Sequence, residues 1–101
     1  MFNLPSFRKA YLCQKPINMR WGDKKLTAMC KESLGVEPTP GVAFLFFNRK
    51  KDSLKLFFRD QRGPNDVQKW MPRGGFLLPT SVEGKDFIPI APTLVPRLFS
   101  R

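Results

Sequence analysis

The sequence predicts an α+β fold: a single small domain in which a mostly antiparallel sheet carries one main helix packed on a face and a weak C-terminal helix. Three observations predict it. One stretch has helical period, with Leu26, Met29, Cys30 and Leu34 at i, i+3, i+4 and i+8. Two apolar runs, 42–48 and 54–60, flank a short polar connector in the manner of a hairpin. A chain of 101 residues, 42% hydrophobic and with ten Phe, has material for one modest core.

Residues 1–7 read as a loose N-terminal lead, and 8–101 as the domain. The first strand is expected over 8–15, "RKAYLCQK", with Ala10 and Leu12 on one face and Tyr11 and Cys13 on the other. Pro16 ends it. Asn18 is the expected cap of a helix beginning near Met19. Gly35 suits the left-handed position past the helix C-terminus. After a loop over 36–41, strand 42–48 is apolar on both faces, as in a strand covered on both sides. In strand 54–60, Leu54, Leu56 and Phe58 share one face, and Lys55, Phe57 and Arg59 the other. The connector "RKKDS" is an exposed cationic turn.

Residues 61–66, "QRGPND", carry loop chemistry. "VQKWM" and "FLL" flank "PRGG" and predict a second hairpin turning at Gly74 and Gly75, with Pro72 marking an edge strand or bulge. A short strand is expected over Phe87–Ile90. A helical turn is expected to start at Pro92 and to be kinked or shortened by Pro96. Phe44, Phe46 and Phe58 are expected to pack beneath the main helix.

The charge balance is strongly basic: 18 Lys and Arg against 8 Asp and Glu, a formal net charge of +10. Such an excess favours nucleic acid, an anionic membrane surface or an acidic protein as partner, and says nothing about fold. With no histidine, there is no Ser-His or Cys-His dyad and no histidine general base. Cys13 and Cys30 lack the spacing and the companions of a zinc site, and read as reduced thiols, one or both buried, of a cytoplasmic protein. The opening "MFNLPSFRKAYL" has no continuous apolar stretch after its charges, so no signal peptide is expected. The longest apolar run, 42–47, is far below membrane-spanning length. No membrane partner and no cofactor are expected.

Three blocks then carry a family resemblance: "INMRWGDKKLTAMCKESLG", "GVAFLFFNRKKDSLKLFFRDQRG" and "KWMPRGGFLLP". In order and spacing they resemble the small TnpB-type accessory protein, the second open reading frame product of the IS-sixty-six group of bacterial insertion sequences. Met19, Arg20, Gly22 and Leu26 match the first block. Phe44, Phe46, Arg49, Lys50, Lys55, Asp60 and Gly63 match the second. Lys69, Gly74, Phe76 and Pro79 match the third. Where the family has an aromatic strand after Gly63, this chain has "PNDVQ", which predicts that strand to be broken or shifted. The resemblance implies a role in transposition beside a larger transposase of the same element.

A transposase centre needs three carboxylates gathered on metal ions. Asp52 reads instead as turn chemistry, Asp60 as a strand-end cap or a partner of Arg59 or Arg62, and Asp66 as a loop residue. No catalytic or metal-binding residues are therefore assigned, and the chain is read as a non-enzyme. Candidate phosphate contacts are Arg49, Lys50 and Lys51 at the hairpin tip, with Lys55, Arg59 and Arg62 extending them. Arg20, Lys24 and Lys25 form a second group near the helix start, and Lys69 with Arg73 a third. Phe57 and Trp70 are candidate aromatic contacts; covering of Phe57 by the C-terminal segment is the other reading for that ring. The expected partners are DNA, without sequence specificity of its own, and the larger transposase. Two alternatives stand beside this: a protein-interaction module docking an acidic partner, and an RNA-binding sheet protein. The sequence leaves the oligomeric state open.

Overall fold

The computed structural model describes residues 4–71 and 82–99. Its elements run β1 (Lys9–Cys13), α1 (Asp23–Leu34), β2 (Val42–Phe47), β3 (Ser53–Asp60), β4 (Gly63–Trp70), β5 (Phe87–Ile90) and α2 (Leu94–Phe99). The five strands form one sheet in the order β4-β3-β2-β1-β5. Strands β1 and β2 are parallel, with Tyr11 opposite Phe44, and α1 makes the crossover between them. The other neighbours are antiparallel. This is the expected α+β domain.

Period-two alternation divides the core between the two faces of the sheet. On one face Cys13, Phe44, Phe46, Phe57 and Phe87 meet Leu26 and Cys30 of α1. On the other Leu12, Ala43, Leu45, Leu54, Leu56, Phe58 and Ile88 meet Val95 of α2, with Phe7 and Leu98 alongside. All six residues of β2 are buried, as a central strand covered on both sides requires. Phe58 is therefore not beneath the main helix with Phe44 and Phe46. It faces α2 and meets the ring of Phe7 edge-on at 5.3 Å. Adjacent strand residues point to opposite faces, so Phe57 takes the place beneath α1.

The helix begins later than its sequence suggests. Asn18 Oδ1 accepts the Arg20 amide at 2.9 Å, closing a local turn, and Gly22 is the N-cap, with no side-chain cap. Asp23 in the first turn partly compensates, since a carboxylate favours the amide-rich end. Gly35 terminates α1 with φ 71°, as expected. At the other end of the chain, helix α2 starts at Leu94 rather than Pro92, which leaves Pro96 in its first turn, where no amide is needed.

The largest difference is β4. Residues 61–66 are not all loop: a turn at Gln61–Arg62 leads directly into a strand paired from Asp60↔Gly63 to Ser53↔Trp70. Asp60 Oδ1 accepts the Arg62 amide at 2.8 Å and holds that turn. Gly63 takes φ 129°, a value side chains rarely adopt. The "PNDVQ" stretch thus forms an intact strand, at the edge of the described sheet, where Pro64 can sit without removing an interior ladder bond. The turn and return strand predicted after residue 71 lie outside the described residues.

Candidate nucleic-acid interface

The β2–β3 turn is built by one side chain. Asn48 Oδ1 accepts the amides of Asp52 and Ser53 at 3.1 and 3.0 Å, and its Nδ2 donates to Asp52 Oδ1 at 2.6 Å. The Lys51 amide closes on the Asn48 carbonyl at 3.0 Å, and Lys51 itself lies in the left-handed region at φ 59°. Asp52 is thereby used within the turn, as expected, although its carboxylate binds a side-chain amide rather than a backbone one. Arg49, Lys50 and Lys51 are left exposed at the tip. The Lys51 Nζ lies 5.8 Å from the centre of the Phe47 ring.

The tip does not stand alone. An open groove of ≈ 670 Å³ runs between Asn48, Arg49, Lys50 and Asp52 on one side and Pro16, Ile17, Asn18, Met19 and Trp21 on the other. The second wall is held by Lys55. Its Nζ donates to the carbonyls of Met19 and Trp21 at 2.6 and 3.1 Å, and the residue is only 4% exposed. Lys55 is therefore not a surface contact: alternation along β3 puts it on the α1 face, and the loop ahead of α1 covers that face. Lys25 Nζ sits 4.2 Å above the Trp21 ring at the same end of the helix, a cation–π contact. Arg20 and Lys24 are exposed nearby.

The remaining candidates disperse. Arg62 is exposed and shares a cavity of ≈ 390 Å³ with Arg59, Pro5, Phe7 and Gly41. Lys69 is half-buried on the α2 side, where its Nζ donates to the Leu98 carbonyl at 3.1 Å. Arg73 lies outside the described residues. Phe57 is fully buried, which removes it as a stacking surface. It is covered from the α1 side rather than by the C-terminal segment, whose helix packs on the opposite face. Trp70, at 66% exposed on the last position of β4, remains an accessible ring.

A second grouping escaped the sequence reading. Arg59, half-buried on β3, lines a cavity of ≈ 280 Å³ together with Asp23, Lys24, Thr27, Ala28 and Lys31 of α1. The signal was present in part, since 24, 27, 28 and 31 form one stripe at i, i+3, i+4 and i+7. That Arg59 would complete it depends on how the helix crosses the sheet.

Two ion pairs occur among the described residues, Lys15–Asp86 at 3.1 Å and Lys31–Glu37 at 3.3 Å. The first, with a further hydrogen bond from Ser33, holds the Asp86 carboxyl below its ordinary range. Both cysteines are buried free thiols. Burial raises the pKa of each, that of Cys30 to about 12 with Cys13 as a smaller contributor, so neither is in a nucleophilic setting. No grouping of three or more metal-ligating side chains occurs among the described residues, and no described helix is long and apolar enough to cross a membrane.

No curated protein and no solved structure matches this chain. A family model does, over residues 8–93, which takes in every described strand and the loop leading to α2. That model is described as "IS66 Orf2 like protein", and its span includes all three sequence blocks noted at the outset. The chain belongs to the IS66 Orf2-like family, whose members are accessory proteins of an insertion sequence.

Proposed function

We propose that this protein is a non-catalytic accessory of transposition that holds DNA through its phosphate backbone, with the β2–β3 turn as principal contact. The observation that carries the reading is the placement of Arg49 and Lys50: both are exposed, neither forms an ion pair among the described residues, and both line an open groove. Contacts of this kind position a protein on a duplex without reading its sequence, and they release counterions. The test is binding of duplex and single-stranded oligonucleotides across a salt series, comparing wild type with the Arg49→Ala/Lys50→Ala/Lys51→Ala variant. Wild-type affinity should fall steeply with salt, and the variant should bind more weakly with a shallower slope. Absence of wild-type binding at low salt would remove DNA as the direct partner.

A second reading rests on Trp70. A large exposed ring at the edge of the described sheet is the kind of anchor found in protein interfaces. It supports direct docking of the larger transposase, with the surplus cations steering an acidic region of that partner. A pull-down of the transposase that survives nuclease treatment and is lost in Trp70→Ala supports docking. Loss of the complex on nuclease treatment would assign the association to shared DNA.

A further inference from the structure

The geometry points to a discrete oxyanion seat between α1 and β3, formed by Lys24, Thr27, Lys31 and Arg59, that takes one backbone phosphate. It rests on the polyanion reading for the identity of its ligand and lies apart from the turn groove.

The seat is an open, shallow concavity of ≈ 280 Å³, so a ligand there would be held by charge and hydrogen bonds rather than by enclosure. Its cations come from two elements that the fold brings together: Lys24 and Lys31 from one flank of α1, and Arg59 from the strand beneath. Arg59 lies just beyond Phe57 on the α1 face, where the apolar core gives way to the surface. It is half-buried, and no carboxylate among the described residues pairs with it. A guanidinium in that position offers a planar donor fork suited to a phosphate. Lys24 likewise forms no ion pair among the described residues. Lys31 has one, Glu37, but both members of that pair are exposed, and such pairs hold weakly.

An independent observation bears on the same place. Thr27 Oγ1 is a buried side-chain oxygen with no hydrogen-bond partner among the described residues, and Thr27 lines this cavity. A buried hydroxyl without a partner is destabilising. Rotation of the side chain toward an oxyanion would satisfy it. Asp23 at the rim opposes an anion, so the seat depends on the cations outweighing one carboxylate. A phosphate diester, carrying a single charge, meets that balance.

The experiment uses the full chain, labelled for amide NMR and titrated with inorganic phosphate against potassium chloride at matched ionic strength. Phosphate should shift the amides of Thr27, Ala28 and Arg59 saturably, and chloride should not. Arg59→Gln should weaken the phosphate titration about tenfold, the loss of a charge-assisted bond. Thr27→Val should weaken it less, and Lys24→Gln serves as a second charge variant should Arg59→Gln disturb the fold. Equal shifts from chloride, or no local shifts from phosphate, would overturn the seat. A duplex titration in parallel separates the two proposals. DNA binding without local phosphate shifts leaves the turn contact standing and removes the seat. Local phosphate shifts without duplex binding keep the oxyanion seat and remove DNA as its source.

Discussion

The Lys55 Nζ donates a 2.6 Å hydrogen bond to the Met19 carbonyl, tying an interior strand to the loop that precedes α1. The same nitrogen reaches the Trp21 carbonyl, so one side chain anchors the wall of the groove opposite Arg49 and Lys50. A residue whose composition marks it as a surface cation thus has a structural task.

Replacing Lys55 with Met keeps much of the aliphatic stem and leaves two carbonyls without their donor. The expected cost is about 1–3 kcal/mol in denaturant unfolding. Because Lys55 does not reach the surface, the salt slope of DNA binding should stay at its wild-type value. A slope lowered as much as by loss of a turn cation would return Lys55 to the contact surface.

The proposed phosphate contact at the turn makes the opposite prediction for its cations. Arg49→Ala/Lys50→Ala/Lys51→Ala should leave urea unfolding within about 0.5 kcal/mol, as for exposed substitutions. The log–log salt slope should fall by about 0.9 for each phosphate contact removed. A salt titration by fluorescence anisotropy reads both affinity and slope.

Lys51 carries a backbone penalty that glycine would not. At φ 59° a side chain costs about 1 kcal/mol relative to glycine. Lys51→Gly should therefore raise stability by up to about 1 kcal/mol, less the loss of its contact with Phe47. Asn48→Ala removes the acceptor that closes the same turn and should destabilise by about 1–3 kcal/mol. Thermal unfolding of the two variants should move in opposite directions.

Cys30 makes stability depend on alkaline pH. Its folded pKa of about 12 lies above the ordinary 9.0, so the fold favours the neutral thiol. The associated stability is complete below pH 9 and is lost as pH rises from 9 toward 12. The loss between pH 8 and 10 should be about 1 kcal/mol. Cys30→Ala should flatten this dependence, whatever its own effect on stability at neutral pH. An unchanged alkaline slope in that variant would refute the assignment.

Much of the architecture was legible in short-range patterns. The alternation of β1 and β3, the doubly apolar β2 and the i, i+3, i+4 stripe of α1 each concern residues a few positions apart, and each appears where the pattern put it. Strand β4 was harder to see. Gly63, Pro64, Asn65 and Asp66 are turn-forming types, and only the ladder with β3 overrides their preference. The start of α1 was misplaced for a related reason: Asn18 uses its side chain in a local turn rather than as a helix cap.

What the sequence alone determined, then, is the existence of α1 and of the strands other than β4, the two faces of β1 and β3, the surplus of positive charge and the family to which these belong. The tertiary structure decided which face each helix covers. It thereby buried Phe57 under α1, turned Phe58 toward α2, drew Lys55 inward and set Arg59 against Lys24 and Lys31. The physical reason is range: backbone periodicity is a property of consecutive residues, whereas burial and charge pairing depend on segments that meet only when the sheet has assembled.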